Sequence, residues 1–166
     1  MPDKETIEKA RRDKREGKSV STQAGEFVRA QIDKIRHGFH GAKSTKQAIA
    51  IGLSEARRAG VDLPPPAKGK TRRSTRKSAQ YAYEAGQGKR KTRRRPRVSR
   101  AVTNVLKREP RSTVSRKALS RQARGAAARR SASQRSASAR KAARTKGASA
   151  RSAAAKKAAR TRARRR

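Results

Sequence analysis

Beyond Glu109 the chain has no acidic residue, and the 57 residues from Pro110 onward carry 20 Lys or Arg. From Arg121 the side chains are nearly all Ala, Ser, Thr, Gly, Arg and Lys. A stretch with so little apolar volume and so much like charge is not expected to bury enough surface to offset its ordering entropy. It predicts an arm that stays open in solution until a polyanion neutralises it. Alanine would then favour a change from coil to helix. Nucleic acid is the polyanion expected, because its phosphates release condensed counterions when Lys and Arg replace them.

The charge is unevenly distributed. The formal net charge of +39 divides into +5 over residues 1–66, with 14 basic and 9 acidic residues, and +34 over residues 67–166, with 36 basic and 2 acidic. A nearly balanced, foldable segment attached to a basic arm follows. The expected organisation is a small helical domain at 1–66, a basic linker with a short helix at 67–98, a basic helix-prone segment at 99–128, and a low-complexity tail at 129–166. The expected fold class is mainly α, with two to three short N-terminal helices and a long basic arm that is disordered or conditionally helical. About 60 residues is near the lower limit for an independent core. Phe27, Val28, Ile32, Ile35, Ile49, Ile51, Leu53, Val61 and Leu63 are the side chains that could fill one.

The absence of cysteine excludes disulfides, thiolate zinc sites and thiol catalysis. The N-terminal sequence lacks the apolar core of a secretory signal, and Ala48–Leu53, the longest apolar stretch, is too short to span a bilayer. A protein that keeps to its compartment of synthesis, with no membrane partner, is expected.

Helix signals punctuate the first 66 residues. Glu5–Lys9 and Glu8–Arg12 are acid-before-base pairs at i,i+4, and Gly17 suits a C-terminal stop. Ser21 or Thr22 can cap a second helix whose stripe runs Ala24, Phe27, Val28, Gln31, Ile32, Ile35, with Gly38 at its end. Ser44 with Gln47 forms a capping box for a third helix that Gly60 closes before Pro64-Pro65-Pro66. Gly52 inside that helix costs about 1 kcal/mol relative to Ala, a cost consistent with close approach of the partner helix. An antiparallel pair is predicted, with the first helix packed across it or trailing. Beyond Pro66, helices are predicted near Ser74–Ala85, Ser99–Glu109 and Ser115–Ala128. In the tail, Arg135–Lys146 (RSASARKAARTK) recurs at Arg151–Arg162 (RSAAAKKAARTR), 16 residues on. That offset keeps neither a 3.5 nor a 3.6 period, so a duplicated low-complexity arm is expected rather than a coiled-coil seam.

Several motifs carry sharper readings beside plainer ones. Arg93-Arg94-Arg95-Pro96-Arg97 resembles a minor-groove AT-hook, but Arg94 stands where the hook has Gly, so a Pro-terminated basic linker is favoured. The Ser44–Gly60 helix, flanked by Lys43, Lys46, Arg57 and Arg58, could serve as the recognition helix of a helix-turn-helix. A helical hairpin whose basic face touches only backbone is favoured. His37 and His40 lie three apart with no third ligand nearby, so no metal site is expected. Tyr81 and Tyr83 could stack on bases, though local packing is the plainer reading. No nucleophile–base pair, phosphate loop or carboxylate pair suggests catalysis, and no cofactor is expected.

The segments EKARRDKREGKSVSTQAGEFV and HGFHGAKSTKQAIAIGLSEARRAGVDLPPP resemble, over residues 7–66, a family of small, very basic bacterial proteins catalogued as a domain of unknown function. Some of its members are labelled DNA-binding or plasmid-stabilisation proteins. KALSRQAR at Lys117–Arg124 and the RSAAAKKAART repeat are similar to that family's tails. The tail also resembles linker-histone tails, but favours Arg over Lys and lacks their Ser-Pro-Lys-Lys units. The resemblance implies a bacterial source and supplies no mechanism.

The expected function is nonspecific binding and compaction of duplex DNA by a histone-like, nucleoid-associated protein of the bacterial cytoplasm. Expected nucleic-acid contacts are Lys43, Lys46, Arg57 and Arg58 in the domain and Arg93, Arg94, Arg95 and Arg97 in the linker. In the tail they are Arg129, Arg130, Arg140, Lys141, Arg144, Lys146, Lys156, Lys157, Arg160, Arg162, Arg164, Arg165 and Arg166. RNA, as in a ribosome-associated protein, is the alternative partner. A third alternative is a protein-interaction module anchored by the arm. Residues 20–60 are also where a homodimer would form.

Overall fold

The computed structural model describes residues 3–92 and 95–164, and these form seven α-helices, one 3₁₀ turn and no strand. The helices are α1 (Lys4–Arg15), α2 (Val20–Arg36), α3 (Thr45–Arg58), α4 (Arg73–Gly86), α5 (Pro96–Arg108), α6 (Arg116–Ala128) and α7 (Ala132–Ala163), with the 3₁₀ turn at Ser112–Val114. Two compact units divide the chain, Met1–Gln122 and Ala123–Arg166.

The first unit is built on α2 and α3. Ser19 caps α2, its hydroxyl accepting from the Thr22 N–H at 3.4 Å, so the cap lies two or three residues before Ser21 or Thr22. Ser44 caps α3 and accepts from the Gln47 N–H at 3.2 Å. Gln47 Oε1 reaches one residue further back than in a standard capping box, to the Lys43 N–H at 2.6 Å. Gly38 and Gly60 follow the two helices at φ 84 and 87, a conformation that disfavours any side chain.

The pair runs antiparallel. Ile35 clusters with Ala42, Ala48 and Val114, and Ala24 and Phe27 cluster with Ala10, Ala56 and Val61. Between the clusters, Gly52 lies against Val28: a Cβ on it would meet Val28 Cα at 2.7 Å. α1 covers α2 through Ile7 and Ala10, and Lys18 holds its end by pairing with the buried Asp13 at 2.7 Å. Glu5 pairs with Lys9 at 2.6 Å, as its spacing predicted. The core is largely alanine, which is why few of the large apolar residues picked out earlier are fully buried. Phe27, Ile35 and Val61 are; Ile32, Leu53 and Leu63 are only partly covered.

The expected disordered or conditionally helical arm after Pro66 is corrected by the structure: residues 73–163 hold four helices and the 3₁₀ turn. Order there has two physical sources. In α4, and from Leu106 to Val114, it comes from packing and hydrogen bonds to α2, α3 and their loop, whereas α5 itself buries no residue. Ala79 and Ala82 of α4 are buried, and Gly86 sits so close to the Arg57 carbonyl that no Cβ would fit. Further on, the Leu106 carbonyl accepts from Gly41 N at 2.7 Å and the Pro110 carbonyl from Ala42 N at 3.3 Å. Thr45 Oγ1 donates to the Thr113 carbonyl at 2.5 Å, and Thr113 Oγ1 to the Ala42 carbonyl at 3.0 Å.

In the second unit the source is local. α7 contains 13 alanines in 32 residues. Its N-terminus carries a complete capping box between Ser131 and Gln134. A helix satisfies its own backbone, so alanine propensity can order a segment that buries nothing. Gly147 interrupts α7 at φ 70, ψ 172.

Candidate nucleic-acid interface

Cations on this chain fall into three environments, and the helix carrying each decides which. Within the first unit, Lys43 and Lys46 are exposed at the start of α3 and Arg58 is exposed in its last turn. A 14-residue helix is about 21 Å long, so these three do not form one patch. α3 packs against α2 and also against α4, which leaves it few polar side chains to offer a groove.

Arg57 stands apart from the other cations. It is 7 % exposed, and its guanidinium donates to the carbonyls of Leu63 at 3.1 Å, Pro64 at 3.3 Å and Leu53 at 3.4 Å. Burial pushes its pKa below the ordinary arginine value, yet arginine stays charged at any physiological pH. Its charge folds the turn after α3 and is not presented to a phosphate.

The loop histidines also serve the fold. His40 Nε2 bonds Gln31 Oε1 at 3.1 Å and its Nδ1 bonds the Gly41 carbonyl at 2.9 Å. Gln31 Nε2 in turn donates to Glu55 at 2.6 Å. His37 Nδ1 bonds the Asp33 carbonyl at 2.7 Å. Among the described residues no three His, Asp or Glu side chains gather as a metal set.

Tyr83 donates its hydroxyl to Asp62 at 2.6 Å, and that bond, more than burial, raises its pKa above the ordinary 10.0. Tyr81 is exposed, with the Arg90 guanidinium 5.0 Å from its ring centroid. Arg90 also donates to Glu84 at 3.0 Å. Glu84, hydrogen-bonded first by Gln80 and then by Arg90, has its pKa held below the ordinary 4.5.

In the linker, Arg93 and Arg94 lie outside the described residues. Arg95 precedes α5 with φ −114, ψ 86, and Pro96 and Arg97 are the first residues of that helix. Pro at the first helical position is preorganised for this role. α5 is amphipathic: Val98, Val102 and Val105 are 54 %, 52 % and 58 % exposed along one face, while at about 100° per residue Arg100 and Lys107 fall opposite it and Arg97 and Arg108 at its flank.

The second unit presents the densest charge. Arg129, Arg130, Arg140, Lys141, Arg144, Lys146, Lys156, Lys157, Arg160, Arg162 and Arg164 are all exposed. Arg165 and Arg166 lie outside the described residues. The second unit contains no acidic residue of its own. Arg135 and Arg151, which were not singled out from the sequence, are equally exposed. Their signal was present in the repeat, where both occupy its first position.

Residues 3–68 match the model of a Family of unknown function (DUF6496). The match takes in α1, α2, α3 and the proline turn, and leaves α4–α7 outside it. No curated protein and no solved structure matches the chain. Among the described residues, no helix is long and apolar enough to cross a membrane.

Proposed function

We propose that the chain binds duplex DNA without sequence preference and compacts it, as a histone-like protein of a bacterial nucleoid. The observation that carries this reading is the separation of charge. The residues after Glu109 hold 20 cations and no anion, and in the second unit those cations stand exposed on helices that bury almost nothing. Such a surface attracts phosphate by counterion release and contains little that distinguishes one base pair from another. The first unit serves as a small globular head. Several separate cationic segments on one chain give it the means to hold more than one stretch of duplex.

The test is a salt titration of binding to a random-sequence duplex and to structured RNA. It compares the full chain with residues 1–122. The cut belongs after Gln122 because a cut at Pro66 removes α4 and the 106–114 segment that packs on the head. With about 10 phosphates engaged, log K should fall with log salt at a slope near −9. Loss of tight binding in residues 1–122 supports the reading. Tighter binding to RNA than to DNA at physiological salt replaces it with the RNA alternative.

A further inference from the structure

The tail's repeat and the break inside α7 coincide. Gly147 separates the two copies of the 16-residue repeat. At φ 70, ψ 172 it adopts a conformation essentially confined to glycine. Because the break resets the direction of the chain, the repeat's lack of a helical period ceases to matter. Each copy becomes its own half-helix, residues 132–146 and 148–163. Each half also begins in the same way, with an arginine reaching back over a chain break. Arg135 Nη1 donates to the Arg130 carbonyl at 3.1 Å, and Arg151 Nε to the Gly147 carbonyl at 3.1 Å.

The cations of each half lie on two opposed flanks. At about 100° per residue, Arg135 and Lys146 fall within about 20° of each other, and Arg140, Lys141 and Arg144 cluster on the far side. The second half repeats this with Arg151 and Arg162 against Lys156, Lys157 and Arg160. Alanine and serine occupy much of the surface between. A helix lying across a flat anionic surface would use one charged face. Charge on two flanks with small residues between suits a slot walled by phosphates on both sides, which is the B-form major groove, about 12 Å wide.

Length supports the same geometry. A straight 32-residue helix is about 48 Å long, more than one DNA turn of about 34 Å, and a straight rod cannot follow a groove through a full turn. Two halves of about 22–24 Å joined by a glycine can. We propose that the half-helices on either side of Gly147 occupy successive stretches of one duplex's major groove, with Gly147 as the bend between them. The proposal rests on the duplex-DNA reading. It excludes A-form RNA, whose major groove is too deep and narrow for side chains to read.

The full chain is titrated against four 30-base-pair ligands. These are plain DNA, DNA with a glucosyl group on each cytosine C5 filling the major groove, DNA with netropsin in the minor groove, and double-stranded RNA. Gly147→Ala is titrated against plain DNA, with circular dichroism reporting its helix content. Expected is at least tenfold weaker binding to the glucosylated duplex and to RNA, with netropsin having little effect. Gly147→Ala should reduce the salt slope by about 4, as one half with its five cations disengages. Competition by netropsin alone, equal affinity for the glucosylated duplex, equal affinity for RNA, or an unchanged slope in Gly147→Ala each overturns the groove assignment while leaving DNA binding intact. Absence of duplex binding at physiological salt overturns the DNA reading and this inference together.

Discussion

Replacing Gly52 with alanine tests the α2–α3 contact on which the head is built. A Cβ at Gly52 would stand 2.7 Å from Val28 Cα, 2.9 Å from Val28 N and 3.0 Å from the Phe27 carbonyl oxygen. Comfortable carbon–carbon contact needs about 3.5–4.0 Å, so α2 must retreat by roughly 1 Å. The obstructing atoms are backbone and cannot rotate aside as a long side chain would. Overpacking of this kind costs about 1–3 kcal/mol, and rigid neighbours place it near the top of that range. Alanine's better helix propensity returns about 1 kcal/mol. The net is a destabilisation of about 2 kcal/mol, or a fall in Tm of about 6–10 °C for a unit of this size. Gly25→Ala is the control. It changes the same residue type inside α2, where a Cβ meets nothing within 4 Å, so it should stabilise by about 1 kcal/mol. Differential scanning calorimetry of the full-length variants measures both. If Gly52→Ala melts at or above the parent temperature, as Gly25→Ala should, the helices do not approach as closely as described and the reasoning fails.

Other substitutions probe the remaining contacts. Arg57→Met removes three charge-assisted bonds to carbonyls at the end of α3 and should cost about 2–3 kcal/mol in thermal unfolding; because this side chain faces inward, the salt slope of DNA binding should not change. Thr113→Val breaks the bond to the Ala42 carbonyl and should lower stability by about 1 kcal/mol, read from the same calorimetry. For Tyr83, the bond to Asp62 favours the neutral phenol, so its contribution is present below the ordinary pKa of 10.0 and is lost as pH rises through the higher folded value. Ultraviolet titration of phenolate should show one tyrosine ionising above 10.0, and Asp62→Asn should bring that titration down. For Glu84 the sign is opposite. Its contribution is present above the ordinary 4.5 and fades as pH falls through the lower folded value, so Glu84→Gln should flatten the acid limb of stability against pH.

The head was legible where the sequence carries discrete signals. The stripe from Ala24 to Ile35, the Ser44–Gln47 box and the glycines at 38 and 60 place α2, α3, the start of α3 and both C-terminal ends, because each signal acts within one helical turn, while the cap of α2 lies at Ser19 and not at Ser21 or Thr22. Gly52 was readable as a close approach, since glycine inside a helix needs a reason. What was not legible depended on distance or on alanine. Ala79, Ala82 and Val114 join the core from beyond the proline turn, and no local pattern marks an alanine as buried rather than merely helix-forming. In the tail, alanine propensity was legible, but like charge and the lack of anything to bury pointed to a helix only after neutralisation. An alanine-rich helix closes its own hydrogen bonds and needs no core to do so. The inward turn of Arg57 was equally hidden: beside Arg58 in the sequence it looks like half of a basic pair.

Between Pro66 and Leu106 the chain leaves the head and returns to it. α4 is fastened to α3 at one end of this excursion, and Gly41, Ala42 and Thr45 grip residues 106–113 at the other. The connection from Gln87 to Val105, which includes most of α5, therefore has both of its ends tied to the head. Loop-closure entropy grows only with the logarithm of length, about 0.6 kcal/mol for each doubling. Insertions there should leave the head standing, and a chain nicked at Lys89 or Lys91 should still hold its two fragments together. Evolution is thus free to vary what this connection displays at small thermodynamic cost.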